Sequence, residues 1–313
     1  MNSAEMPDVV HVGPEIPLCS ERYRQGFTLH PLPGGAVPVD FAGSGATAMI
    51  AAGPVTAEAI AALPNLRLIA VYGVGYDKVD VAAARARGIA VTNTPGPTDG
   101  CVADMAFALL LAAGRGIVGG DRFVREGRWL AGAFPLMPRL HSRTMGILGL
   151  GRIGQAIARR AAAFDMKVLY HNRRAVAGVP HGYRASVAEL ARDSEVLVVA
   201  CPGGEATRGL VDGAVLRALG PRGIVVNIAR GSVIDEPALV AALRDGTIAA
   251  AGLDVFDHEP AVPPALCGLE NVVLMPHRGG GTVETWEECA DMVIANLRAH
   301  FAGQALPNPI PPD

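Results

Sequence analysis

Three residues in this chain have the types and settings that could do chemistry together: Arg230, Glu259 and His277. They stand in Asn227-Ile228-Ala229-Arg230-Gly231, in Leu253-Asp254-Val255-Phe256-Asp257-His258-Glu259-Pro260, and in Met275-Pro276-His277-Arg278-Gly279-Gly280-Gly281. Each segment closes a short apolar run of strand length, and open α/β sheets bind ligands at the carboxyl ends of their strands. An arginine there can clamp a carboxylate. A histidine can donate a proton near neutral pH, and an acidic neighbour can hold its ring and favour the charged form. Taken singly, each residue also reads as an ordinary loop or surface position. Taken together, they suit reduction of a 2-keto acid. The other seven histidines have no comparable setting.

A second constellation runs from Arg143 to Arg174. Met145–Leu150 is strand-like, Gly149, Gly151 and Gly154 form G-x-G-x-x-G, and a helix is expected over Gln155–Phe164. A second strand is expected from Lys167 to Tyr170, ending at Asn172. In a dinucleotide-binding turn these glycines allow the bend, the approach of a pyrophosphate and close helix–strand packing. The free N–H groups at the helix start then face the phosphates. An acid about 20 residues beyond the glycines would accept hydrogen bonds from the ribose 2′-OH of NAD. Here that place, 172 − 154 = 18 residues on, holds Asn172, followed by Arg173 and Arg174. Loss of the carboxylate and gain of guanidinium groups favours the 2′-phosphate of NADP(H), with NAD(H) left open.

The elements that must position these groups follow from pattern. The chain has 313 residues, half of them hydrophobic, enough for two domains with separate cores. Its net charge of −3 gives no reason to expect nucleic acid or an anionic membrane as partner. No apolar run reaches spanning length without Gly, Pro or charge, and the first residues lack a signal-peptide pattern. Five scattered cysteines without C-x-x-C spacing predict reduced thiols, a cytoplasmic setting and no metal site. Val9–Val12, Ala48–Ala51, Leu66–Tyr72 and residues 88–93 read as strands, with helices over Val55–Ala62 and Val79–Arg87. Pro95–Gly100 reads as a turn and domain junction, and Cys101–Gly114 as a buried helix. Val196–Cys201, Gly223–Ile228, Ala250–Val255 and Val272–Leu274 are strand-like, while Glu236–Arg244 and Glu284–Phe301 are helical. Such alternation predicts an α/β fold with parallel sheets.

The series VYGVGYDKVD (71–80), RGIAVTNTPG (87–96), VADMAFALLLA (102–112), GILGLGRIG (146–154), NIARGSVIDEPAL (227–239), AGLDVFDHEP (251–260), LMPH (274–277) and GTVETWEECADMV (281–293) resembles the D-isomer-specific 2-hydroxyacid dehydrogenases. Within them it is most similar to the glyoxylate/hydroxypyruvate and hydroxyphenylpyruvate reductase branch. The resemblance implies two Rossmann/flavodoxin-like lobes with the active site in the cleft between them, and a homodimer. It implies a discontinuous substrate-binding domain over residues 1–98 and 287–313, and a dinucleotide-binding domain over 99–286. It implies a catalytic triad of Arg230, Glu259 and His277, and substrate-carboxylate binding by Val74 and Gly75 together with Arg230. Cofactor contacts are implied at Gly149, Gly151, Arg152, Ile153, Gly154, Asn172, Arg173, Arg174, Cys201, Pro202, Thr207, Ile228, Ala229, Asp254, His277 and Gly279. The implied activity is NADPH-dependent reduction of a small 2-keto acid to the D-2-hydroxy acid. An aryl-pyruvate reductase and a catalytically idle nucleotide sensor on the same fold are the alternatives, and formate or phosphite oxidation is disfavoured by Asn172-Arg173. Arg278 and Trp286 depart from the family pattern and bear on substrate identity.

Overall fold

The structure, a computed structural model, describes residues 6–34, 36–38 and 41–311. The chain folds into two compact units, Met1–Thr98 with Gly281–Asp313, and Asp99–Gly280. The boundary expected at 286/287 falls inside a helix, and the change comes earlier, at Gly281. Thr282 caps the helix Val283–Phe301 by accepting from the Thr285 N–H, so the whole helix joins the first unit.

In the first unit, β1 (Asp8–Val12), β2 (Thr28–Leu32), β3 (Ala48–Ala51), β4 (Leu68–Val71) and β5 (Ala90–Thr92) form one parallel sheet. Their order is β2-β1-β3-β4-β5. Every residue of β3 and β4 is buried, which is why these strands read as unbroken apolar runs. The helix Pro17–Arg24 and β2 were not legible in the sequence. That helix has no side-chain cap, and β2 is an edge strand of mixed exposure interrupted by Pro31. Two helices are shorter than expected, Ala57–Ala61 and Val81–Ala86, because Thr56 and Asp80 cap them from outside. Val55 and Val79, expected as helical, instead form a parallel bridge.

In the second unit, β6 (Thr144–Leu148), β7 (Lys167–His171), β8 (Gly182–Tyr183), β9 (Val196–Val199), β10 (Ile224–Asn227), β11 (Ala250–Leu253) and β12 (Val272–Leu274) form a second parallel sheet. Their order is β12-β11-β10-β9-β6-β7-β8, so the chain reverses its direction of travel across the sheet between β6 and β9. The glycine turn follows β6, at the switch point where such sheets bind dinucleotides.

The segment Pro95–Gly100, expected as a turn, starts a helix at Pro97 that runs to Arg115. Proline is tolerated in a first helical turn because its missing N–H would be unpaired there. Phe107, Leu109 and Leu110 of this helix are buried in the second unit's core. Each contributes roughly 1.5–3 kcal/mol by leaving water. The approach is close: a side chain at Gly252 of β11 would meet Leu109 Cβ at 2.8 Å.

Candidate active site

The glycine turn has the shape of a phosphate cradle. Gly149 has φ +101°, and a Cβ there would lie 2.5 Å from the Cys201 backbone N, so only glycine fits. At Gly151, by contrast, nothing lies within 4 Å of where a Cβ would stand. Gly151 precedes the helix Arg152–Ala163, which has no side-chain cap, so its first N–H groups are available to an anion. Arg152 is exposed and holds Asp99 at 2.8 Å through Nε. Gly154 packs on the Gly149 carbonyl too closely for any side chain. These residues fit a dinucleotide pyrophosphate.

At the end of β7, the Asn172 Oδ1 accepts from the Leu150 N–H at 2.7 Å. Asn172 therefore ties the strand end to the glycine turn and keeps its NH2 group, a donor, for a ligand. Arg173 and Arg174 are exposed, and neither pairs with a carboxylate among the described residues. Donor and cations together match a phosphate better than a ribose hydroxyl. After β9, Cys201 is half-buried, and burial pushes its thiol up to about 11, so it stays protonated at neutral pH. Thr207 donates its hydroxyl to the Pro202 carbonyl at 2.8 Å, closing that loop.

Arg230, Glu259 and His277 sit on the loops after β10, β11 and β12, three adjacent strands of one sheet. His277 Nδ1 lies 2.9 Å from Glu259 Oε2. Glu259 Oε1 accepts from the Phe256 N–H at 3.2 Å, which fixes the carboxylate. An ionised carboxylate only accepts, so Nδ1 carries its hydrogen and Nε2 is the nitrogen left for a substrate. His277 is left-handed at φ +54°, a conformation that must be held from outside. Asp254 holds it. Its carbonyl accepts from His277 N at 2.8 Å, and its two carboxylate oxygens accept from Arg278 N and Gly279 N, both at 2.7 Å. Burial pushes the Asp254 carboxyl above its usual range, while those two amides pull it back down.

The Arg230 loop is held in the same manner. Asn227, 1% exposed, accepts from Ala229 N at 3.1 Å and donates to the Arg230 carbonyl at 2.9 Å. Ile228 and Ala229 between them are buried. Gly231 packs against the Phe256–Asp257 backbone, where no side chain would fit, and so brings the Arg230 and Glu259 loops together. The family resemblance implies a cofactor role for Asp254 and none for Asn227. Only the backbone geometry shows that both fix the loops that carry Arg230 and His277. Val74 and Gly75 belong to the first unit, on the loop after β4. Trp286 also belongs there, half-buried against the core that includes Cys19 and Val293. Among the described residues no cluster of His, Cys, Asp or Glu could hold a metal.

Parallel sheets, a glycine turn at the switch point and a histidine–carboxylate pair on neighbouring loops define a nicotinamide-dependent oxidoreductase. The model of the D-isomer specific 2-hydroxyacid dehydrogenase, NAD binding domain, matches residues 107–279, and the chain belongs to that family. It is 47% identical over 254 residues to glyoxylate/hydroxypyruvate reductase A of Arabidopsis thaliana, covering 81% of each chain. It is 48% identical over 254 residues to hydroxyphenylpyruvate reductase of Plectranthus scutellarioides, again 81% of each. The crystal structure of the NADPH-dependent glyoxylate/hydroxypyruvate reductase of Sinorhizobium meliloti, in complex with NADP and malonate, superimposes with a TM-score of 0.93 at 40% identity. That match covers 98% of this chain and 97% of the other.

Proposed function

We propose that the protein reduces a small 2-keto acid to the D-2-hydroxy acid with NADPH, and that His277 is the proton donor. The observation that carries this reading is the 2.9 Å His277–Glu259 pair, with Glu259 anchored at its other oxygen. Bound at the glycine turn, the dinucleotide supplies the hydride. The Val74 and Gly75 amides hold the substrate carboxylate. Arg230 binds the substrate and polarises its keto oxygen, stabilising the alkoxide that develops there. His277 gives that oxygen its Nε2 proton, and Glu259 stabilises the imidazolium before transfer.

Preference for NADPH over NADH is supported by Asn172, Arg173 and Arg174, and by the NADP held in the Sinorhizobium relative. The likeness to the Plectranthus enzyme supports an aryl pyruvate as the second substrate reading. A cytoplasmic location accords with five free thiols. A homodimer accords with the segment 117–137. There Ile117, Val118, Val124, Trp129, Leu130 and Leu136 are all exposed, and apolar side chains grouped in one exposed segment suit a protein–protein contact.

Oxidation of NADPH and of NADH, each with glyoxylate, hydroxypyruvate and phenylpyruvate, tests the reading. Fast turnover with NADPH and one of the smaller acids is expected. A best rate with phenylpyruvate moves the assignment to the aryl-pyruvate class. No turnover with any pair, while the nucleotide still binds, overturns it. Light scattering of the parent and of Leu130→Glu tests the dimer, which the charge is expected to dissociate.

A further inference from the structure

We propose that Asn93 and Thr94 are positioning residues that aim the Val74 and Gly75 amides at the substrate carboxylate. The inference rests on the reading of those amides as the carboxylate site, and adds what fixes them.

The loop needs fixing. Gly73 has φ +123°, Val74 is half-buried and Gly75 is exposed, so packing alone does not define the backbone there. Among the described residues, neither the Val74 N–H nor the Gly75 N–H has an acceptor. Two consecutive amides without acceptors form a site for an anion.

Three hydrogen bonds bind this loop to residues 93–94. The Gly73 N–H donates to Thr94 Oγ1 at 3.0 Å, and the Thr94 N–H donates back to the Gly73 carbonyl at 3.0 Å. Asn93 Nδ2 donates to the Val74 carbonyl at 2.8 Å. In a trans peptide the carbonyl and the following N–H point in opposite directions. With the Gly73 carbonyl turned to Thr94, the Val74 N–H faces away from residues 93–94. With the Val74 carbonyl turned to Asn93, the Gly75 N–H faces away as well. Both free amides are thus directed off the same side of the loop.

The anchors are themselves fixed. Thr94 is 1% exposed, and its hydroxyl donates to Cys289 Sγ at 3.4 Å on the helix Val283–Phe301. The Asn93 N–H donates to the Asn308 carbonyl at 3.2 Å, in the C-terminal segment that bridges to Thr92 at Pro309. Asn93 and Thr94 directly follow β5, as the loop follows β4, so neighbouring strand ends carry the two halves of the clamp.

Asn93→Leu keeps the branched shape and removes the donor. Thr94→Val keeps the shape and leaves the Gly73 N–H without its acceptor, whereas Thr94→Ser retains the hydroxyl. Asn93→Leu and Thr94→Val should each raise KM for the keto acid about 10- to 100-fold. The NADPH dissociation constant should stay within about twofold and kcat should change less than KM. Thr94→Ser should recover most of the loss. A general folding defect would instead lower Tm, nucleotide binding and kcat together, without rescue by serine. Oxalate titrated calorimetrically into the NADPH-loaded protein gives a second readout, and its dissociation constant should rise in parallel with KM. Failure of the functional reading shows in the parent protein, as no turnover with any keto acid, and oxalate binding then still decides the positioning role. Equal oxalate affinity in parent and Asn93→Leu, or no oxalate binding to the parent, overturns the proposal. Should Asn93→Leu not fold, the Thr94→Val and Thr94→Ser pair decides in the same way.

Discussion

In the second unit the loops after β10, β11 and β12 present side chains: a guanidinium, a carboxylate and an imidazole. In the first unit the loop after β4 presents two backbone amides. Both units place these groups at the carboxyl ends of parallel strands, where the sheet geometry leaves the chain exposed. On the proposed mechanism the difference follows from the tasks. Passing a proton needs a group that changes protonation near neutral pH, which no amide does. Holding a carboxylate needs only donors, and backbone amides provide them with no rotamer freedom to lose. In each unit buried polar side chains then lock the working loop: Asn227 and Asp254 in one, Thr94 in the other. The working groups differ in kind, while the groups behind them use the same device.

The widest test of that contrast is His277→Ala. Removing the proton donor is expected to cut kcat by roughly 10²–10⁴-fold while NADPH affinity holds. Variants at Asn93 and Thr94 act chiefly on KM, so steady-state kinetics separate the two units' contributions. A loss of less than tenfold in His277→Ala would remove histidine from the chemistry. Glu259→Gln sharpens the same point at smaller scale. The amide keeps an oxygen for a hydrogen bond but loses the charge that stabilises imidazolium, and kcat should fall about 10- to 100-fold. Parent-like kcat in Glu259→Gln would reduce Glu259 to a ring holder.

The second unit was the more legible of the two, for physical reasons. Arg230, Glu259 and His277 each follow an apolar run of strand length; singly they look ordinary, and their occurrence as a set, with the resemblance, marks them. The glycine turn is marked by spacing. Val74 and Gly75 work through atoms that every residue owns, and they entered only through the resemblance of the whole segment to a family. Asn93 and Thr94 act 19 and 21 residues away along the chain, on carbonyl and amide groups, and no periodicity encodes that. In the sequence Asn172 stands out as a missing carboxylate. Its hydrogen bond to the glycine turn depends on the pairing of β6 with β7, which the sequence does not display. The helix start at Pro97 reads as a turn in the sequence because proline and glycine serve both uses.

Cofactor choice probes the second unit with a smaller effect. Arg173→Ala combined with Arg174→Ala should raise KM for NADPH about 10- to 50-fold and leave KM for NADH nearly unchanged, because only the former carries the 2′-phosphate. An equal effect on both nucleotides would make the arginines a general electrostatic surface.

The smallest expected effect separates the units by stability. His11, on β1, is 2% exposed, and its Nδ1 has no hydrogen-bond partner among the described residues. Burial pushes its pKa below the ordinary 6.5, opposed by Glu15 and reinforced by Arg24. Burial lowers His300 in the same unit as well. For a base depressed in the folded state, the unfolded chain takes up protons first as pH falls. The stabilisation from keeping these rings neutral is therefore complete above 6.5 and is lost as pH drops below that value toward the folded pKa. His11 and His300 both belong to the first unit, so this cost falls there. Hydrogen exchange between about pH 7 and 5 should show amides of β1, β3 and β4 losing protection before those of β6, β9 and β10. His11→Gln should weaken that dependence. Protection lost first in the second unit, or an unchanged profile in His11→Gln, would place the acid-sensitive groups elsewhere.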